Sequence, residues 1–76
     1  MELDPRDMHA LVNRAKRAHG HLGKVIAMME EGAECEAVLT QLSAVLKALE
    51  RTGFQIVATE ARTRLRAALD RITQEA

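Results

Sequence analysis

The stretch EGAECEAVLTQL, residues 31–42, decides how the chain folds. Gly32 stands where a helix can end in a left-handed turn, a conformation that glycine adopts without steric cost. After it, Val38, Leu39 and Leu42 begin an apolar pattern with helical period. The stretch therefore predicts a tight turn between two helices, with the only cysteine, Cys35, in the first turn of the second helix.

Upstream of this turn, the sequence predicts one helix from Asp4 to about Glu31. Asp4 is a suitable N-cap, and Pro5 suits the first helical position because an N–H there has no helical partner. Gly20 and Gly23 lower the helix propensity of this segment, so we expect another helix to approach their backbone closely. Apolar residues recur along it every three or four positions: Met8, Leu11, Val12, Ala15, Ala18, Leu22, Val25, Ile26 and Met29.

Downstream of the turn, helical periodicity continues from Glu34 to about Gln74, with no proline to end it. A straight helix of about 40 residues would extend about 60 Å. We therefore expect either a bend near Gly53 or a short third helix that begins near Ala61, and one continuous helix is the alternative.

These segments predict an all-α fold in which residues 1–76 form a single domain, an antiparallel helical hairpin. The second helix carries apolar residues on more than one side, such as Val45 beside Leu46 and Ile56 beside Val57. A hairpin has no third layer to cover such faces, so we expect it to dimerise into a four-helix bundle. Two dimers are then expected to pair into a tetramer.

The composition argues against several classes of protein. One cysteine among 76 residues excludes an internal disulfide and suits a reducing compartment, so we expect a cytoplasmic location. The first residues lack the features of a signal peptide, and no apolar run approaches the roughly 20 residues that span a membrane. No catalytic set, phosphate-binding glycine loop or zinc motif is present, so we do not expect an enzyme.

Charge is unevenly distributed along the chain, although the formal net charge is zero. Residues 8–29 carry four basic residues, three histidines and no acidic residue. Arg14 and Arg17 share a helix face with Lys16 beside it, and Lys24 extends this stripe, which we expect to lie clear of the apolar residues. Such a stripe is typical of a surface that binds a polyanion, and a solvated helix face is the alternative interpretation.

Cys35 and the histidines have several interpretations. A helix N-terminus favours a thiolate, which suits a metal ligand or a reactive thiol, but the two flanking glutamates oppose it. From these residues alone, a packed and inert cysteine is favoured. His19 and His21 point about 200° apart on a helix and are not expected to share one ion, and His9 is expected at the surface.

Three segments carry a specific pattern: LVNRAKRAHGH at 11–21, MMEEGAEC at 28–35 and VLTQLSAVLKALERTG at 38–53. Over residues 8 to 66 the chain resembles the CsoR/RcnR/FrmR family of copper-, nickel/cobalt- and formaldehyde-sensing repressors. The resemblance implies a dimer of hairpins that pairs into a flat tetramer and binds operator DNA until an inducer releases it. It also implies that Cys35 senses the inducer, which reverses the preference for an inert thiol. Arg14 and Arg17, with Lys16 adjacent, would contact the DNA.

The chain also departs from each subtype of this family. Copper sensors complete their site with a His and a Cys on the second helix of the partner subunit, and the matching positions here hold Glu60 and Arg64. Arginine is not a metal ligand, and the spacing of four favours a salt bridge between the two. Nickel/cobalt sensors have a histidine near position 3, where this chain has Leu3. Formaldehyde sensors have an N-terminal proline at position 2, where this chain has Glu2. Persulfide sensors pair two cysteines, whereas this chain has one.

His19 and His21 replace a glutamate and a glutamine of the family, and we expect them to reshape its DNA-facing or allosteric surface.

Our hypothesis is a DNA-binding repressor, derepressed when an inducer acts at Cys35. An electrophile such as formaldehyde is slightly favoured over a transition metal ion held by Cys35, Glu60 and an N-terminal group. The alternative is a helical oligomer that keeps the fold and has lost sensing.

Overall fold

Two helices make up nearly all of the computed structural model, which describes residues 3–75. Helix α1 spans Pro5–Glu30 and helix α2 spans Cys35–Glu75. They pack against each other as an antiparallel hairpin, and no strand occurs in the described part of the chain. The predicted all-α hairpin is therefore confirmed.

Asp4 caps α1 as its sequence context predicts. Its carboxylate accepts a hydrogen bond of 2.8 Å from the backbone N–H of Arg6, one of the N–H groups that lack a helical partner. This bond, followed by a second from the Arg6 side chain, holds the pKa of the Asp4 carboxyl below its ordinary value. Pro5 occupies the first helical position.

Gly32 forms the left-handed turn that ends α1, with a φ of 75°. Its N–H donates to the carbonyl of Met29 at 3.2 Å, and the N–H of Ala33 donates to the carbonyl of Met28 at 2.9 Å. These two bonds constitute a Schellman motif, which satisfies carbonyls at the end of the helix. The chain can therefore reverse direction within four residues before Cys35 begins α2.

The two helices bury one narrow column of side chains each. The buried residues repeat every seven positions and are Leu11, Ala18 and Val25 on α1, and Val45, Thr52 and Thr59 on α2. A repeat of seven is typical of two helices that supercoil gently and interlock along a seam. The Thr52 hydroxyl donates to the carbonyl of Ala48 at 2.9 Å, so its burial leaves no polar group unpaired.

Helix α2 continues without interruption through Gly53 and Ala61, so the expectation of a third helix is wrong. The molecule is 65 Å long, close to the length of about 62 Å of a straight helix of 41 residues, which leaves no room for a sharp bend. The continuous alternative holds because α2 contains no proline, and the single glycine within it, Gly53, does not end the helix.

The expected close approach to Gly20 and Gly23 is also absent from the hairpin. A Cβ atom added at either glycine would meet no other atom of the described chain within 4 Å. The reason is geometric: each glycine lies two positions from a buried residue, Ala18 or Val25, and therefore points away from α2.

Among residues 3–75, neither helix is long and apolar enough to cross a membrane.

Most large apolar side chains of the hairpin are exposed. Only part of the apolar pattern faces the other helix, and the remainder forms separate exposed faces. The exposed residues are Met8, Val12, Leu22, Ile26, Met29, Leu39, Leu46, Leu49, Phe54, Val57, Leu65, Leu69 and Ile72.

Candidate functional site

A cleft of about 370 Å³ lies between the middle of α1 and the middle of α2. Its floor is formed by small side chains, Ala18 and Ala48, and by Thr52, which leave space between the helices. Four long side chains that are cationic or can become so surround this floor. They are Arg14, Arg17 and His21 from α1, and Arg51 from α2.

Side-chain hydrogen bonds connect the helices at both ends of this basic cleft. At one end, the Nε2 atom of His21 lies 2.8 Å from the Oε1 atom of Gln41. At the other end, the Arg14 guanidinium donates to the side-chain oxygen of Gln55. Arg14 also borders a smaller cleft of about 120 Å³ that includes Arg62 of α2.

The predicted DNA-contacting residues are partly brought together. Arg14 and Arg17 line the same basic cleft, whereas Lys16 is exposed and is not among its lining residues. The expectation that these arginines lie clear of the apolar residues is wrong. Both line the cleft together with Ala18, which is buried against α2. They therefore extend along the edge of the helix–helix seam.

Arg51 is the cleft residue that the sequence pattern did not reveal. Arg51 lies on α2 directly before Thr52, which is one of the buried residues of that helix. The sequence held one signal for the position of Arg51, the spacing of seven residues between Val45 and Thr52. A search for apolar residues misses this spacing because threonine is not apolar. That repeat directs Arg51 toward the same edge of the hairpin as Arg14 and Arg17.

Cys35 is exposed and is the first residue of α2. Helical N–H groups without helical partners surround this position, and no part of α1 covers the thiol. Glu60, the other predicted inducer-site residue, lies on the same continuous helix 25 positions away, a distance of about 37 Å. A site that contains both residues therefore requires a second chain.

Glu60 and Arg64 form the predicted salt bridge, with the Arg64 Nε atom 2.8 Å from the Glu60 carboxylate. The Glu60 side chain is 22% exposed and that of Arg64 79%. The two side chains are thus bound to each other on one face of α2. Within residues 3–75, no group of three or more His, Cys, Asp or Glu side chains is close enough to hold a metal ion. The third predicted ligand was an N-terminal group, and residues 1 and 2 at the N-terminus lie outside the described residues.

The three histidines occupy different environments. His9 is exposed, as predicted, and contacts the Asn13 side chain at 3.3 Å. His19 is exposed, whereas His21 is half-buried between the helices and contacts Gln41. His19 and His21 therefore lie on different sides of α1, as the helical geometry predicts.

The sequence model of the family described as "metal-sensitive transcriptional repressor" matches residues 7–76. The chain belongs to this family. The match includes both helices and the turn between them, so the family's pattern extends through the basic cleft and Cys35.

Two mycobacterial members of the family illustrate the similarity. A protein of Mycobacterium ulcerans named copper-sensing transcriptional repressor CsoR is 50% identical over 44 residues, which are 58% of this chain and 38% of that protein. The protein of the same name from Mycobacterium tuberculosis H37Rv is 45% identical over 44 residues, 58% of this chain and 37% of that protein. The match thus spans less than two fifths of each relative's length. No solved structure matches the chain.

Proposed function

We propose that this chain is a DNA-binding transcriptional repressor that an inducer releases from its operator by acting at Cys35. The observation that supports DNA binding is the basic cleft. Arg14, Arg17 and Arg51 line it, and no carboxylate is among its lining residues. Membership of the repressor family supports the regulatory half.

The chemistry of the basic cleft suits the phosphate backbone of DNA. A guanidinium group donates through a planar fork that matches two phosphate oxygens, and three arginines line this cleft. No aromatic ring of Phe, Tyr or Trp lines the cleft, so it offers no such platform on which a base could stack. Lys16, on the neighbouring face of α1, would contact a further phosphate. In a dimer or tetramer the cleft is repeated, and the phosphate contacts multiply.

The test is the salt dependence of DNA binding, measured with a duplex selected from a random library by its binding to the wild-type chain. For each phosphate that a variant no longer neutralises, the slope of log affinity against log salt concentration should become about 0.9 less negative. We expect this change for Arg14→Ala, Arg17→Ala and Arg51→Ala. Lys47→Ala removes an exposed charge of α2 that does not line the cleft, and its slope should be close to that of the wild type. Equal slopes for all four variants would exclude the cleft from DNA binding.

The inducer is proposed to be something other than copper, although the mycobacterial relatives are named copper sensors. Cys35 is present and exposed, but the positions of its usual partners hold an arginine and a glutamate that are bound to each other. An exposed thiol at a helix N-terminus suits attack on an electrophile such as formaldehyde. A metal bound by Cys35 and the partner's Glu60 would have a harder and weaker ligand set.

The inducer is best identified by adding candidates to the preformed DNA complex and measuring its release. The panel comprises Cu(I), Ni(II), Co(II), Zn(II), formaldehyde and a persulfide donor, each tested also on Cys35→Ala. We expect an electrophile to release the wild type, and Cys35→Ala to remain bound to DNA. Mass spectrometry should locate the adduct on Cys35.

A second candidate function is a helical oligomer that keeps the fold without sensing. The salt bridge between Glu60 and Arg64 favours this alternative, because it removes two positions that other family members use as ligands. It predicts that Cys35→Ala and the wild type respond identically to every member of the panel.

A further inference from the structure

The lining of the basic cleft includes one histidine, His21. His21 is half-buried and lines the cleft together with Arg14, Arg17 and Arg51. Histidine is the residue type that ordinarily exchanges a proton between about pH 5 and 8. The Nε2 atom of His21 lies 2.8 Å from the Gln41 Oε1 atom, which holds the ring at the end of the cleft.

The charged groups that share the cleft with His21 are cationic. Arg14 and Arg17 line it from α1 and Arg51 lines it from α2, whereas the Gln41 amide that contacts the ring is neutral. Lys24, one helical turn after His21 on α1, adds a further positive charge. No carboxylate lines the cleft in the described residues 3–75. Protonation of His21 therefore adds a fourth positive charge to the three arginines of the lining, which a bound anion favours and an empty cleft opposes.

We propose that the basic cleft is a phosphate site and that its affinity depends on the protonation of His21. The inference rests on the proposed DNA binding and adds a regulation to it: operator affinity rises as the pH falls through the range in which His21 gains its proton. A neutral ring that donates from Nε2 to Gln41 has only a lone pair at Nδ1. The protonated ring keeps this hydrogen bond and acquires a second N–H donor.

The lining of the cleft favours a phosphate group as the ligand. Its volume of about 370 Å³ lies within the range of ligand-binding clefts. The three arginines provide the forked donors that phosphate oxygens prefer. Phosphate is the shared chemistry of two sources, the DNA backbone and the free anion, and these sources must be separated by experiment.

The first experiment compares DNA affinity at pH 6 and pH 8, at fixed ionic strength, for the wild type, His21→Gln and, as a control, His9→Gln, whose histidine is exposed outside the cleft. Glutamine keeps a hydrogen-bonding side chain opposite Gln41 without a titrating charge. We expect the wild type and His9→Gln to bind about five- to tenfold more tightly at pH 6 for each cleft engaged. The salt slope should also steepen by about 0.9 per cleft. His21→Gln should lose both changes, with the same helical circular dichroism as the wild type.

The second experiment titrates inorganic phosphate into the protein without DNA and follows the three imidazole rings by NMR. Phosphate in the cleft should move the titration midpoint of His21 to higher pH and leave those of His9 and His19 unchanged. A response to inorganic phosphate supports the site even if no duplex binds, an outcome that would remove only the proposed repressor function. A pH effect seen with the duplex alone assigns the phosphate to the DNA backbone. Equal pH dependence of His21→Gln and the wild type, with no effect of phosphate on His21, would overturn the inference.

Discussion

Glu60 and Arg64 are the two residues at which the proposed change of inducer can be tested. They lie one helical turn apart, and the 2.8 Å salt bridge occupies the Glu60 carboxylate. Replacing them as Glu60→His with Arg64→Cys would supply the imidazole and thiolate that prefer Cu(I). We expect the double variant to bind Cu(I) far more tightly than the wild type in competition with a Cu(I) chelator. Addition of Cys35→Ala to the double variant should reverse this gain, and tight stoichiometric Cu(I) binding by the wild type would contradict our interpretation.

Gly32 and Gly53 differ in what an added methyl group should do to stability. Gly32 has a φ of 75°, which strains any residue with a Cβ atom, so Gly32→Ala should lower the free energy of unfolding by about 1 kcal/mol. Gly53 lies within α2, and a Cβ atom there would meet nothing within 4 Å. Because alanine has the higher helix propensity, Gly53→Ala should raise the free energy of unfolding by about 0.5–1 kcal/mol. Urea denaturation measures both effects. A destabilising Gly53→Ala would show that a second chain packs against that position.

At the scale of the helix, the start of α1 depends on the charge of Asp4. Hydrogen bonds from Arg6 hold the pKa of the Asp4 carboxyl below its ordinary value, so folding favours the ionised form. Its contribution to stability is present above the pKa of the unfolded chain, about 4, and is lost as the pH falls through the lower pKa of the folded chain. We expect acid to weaken the wild type more than Asp4→Asn, which caps the helix without titrating. Thermal unfolding followed by circular dichroism between about pH 2 and 6 would detect the difference, and parallel curves would contradict it.

Local chemistry explains which parts of each helix were predictable. The Asp4-Pro5 cap and the Gly32 turn depend on neighbouring residues only, so both were predicted correctly. A third helix was expected from the length of the apolar pattern alone, without a breaker in the sequence, and it does not form. Helix ends that rest on specific capping residues are therefore more predictable than ends inferred from length.

The candidate site was only half predictable, because it depends on the register between helices. Arg14 and Arg17 share a face of one helix, which spacing reveals. The proximity of Arg51 and the contact between His21 and Gln41 arise only when α1 and α2 are aligned across the turn. That alignment is set by the buried repeat of seven, in which Thr52 and Thr59 replace the apolar residues that sequence patterns detect.

At the scale of the whole molecule, the hairpin exposes more surface than a compact chain of its size. Its accessible surface is 6345 Å², whereas a compact monomer of 8.4 kDa would expose about 4,600 Å². Its radius of gyration is 18.3 Å, against about 11 Å for a compact domain of this length. The excess of about 1,700 Å² per chain is the amount that an obligate homodimer commonly buries. These values support the proposal that a second copy completes the fold.

The exposed apolar face of α2 is where this association can be tested. Leu46 is 57% exposed and shares its side of the helix with Leu39 and Leu49, so a charge at Leu46 would be buried in a dimer at high cost. We expect Leu46→Glu to sediment as a monomer with reduced helicity, because the hairpin buries too little apolar surface alone. Lys47→Glu introduces the same side chain at the next, exposed position and should retain the wild-type mass. If both variants sediment like the wild type, the subunits do not associate through this face, and the exposed residues of α1 become the remaining candidates.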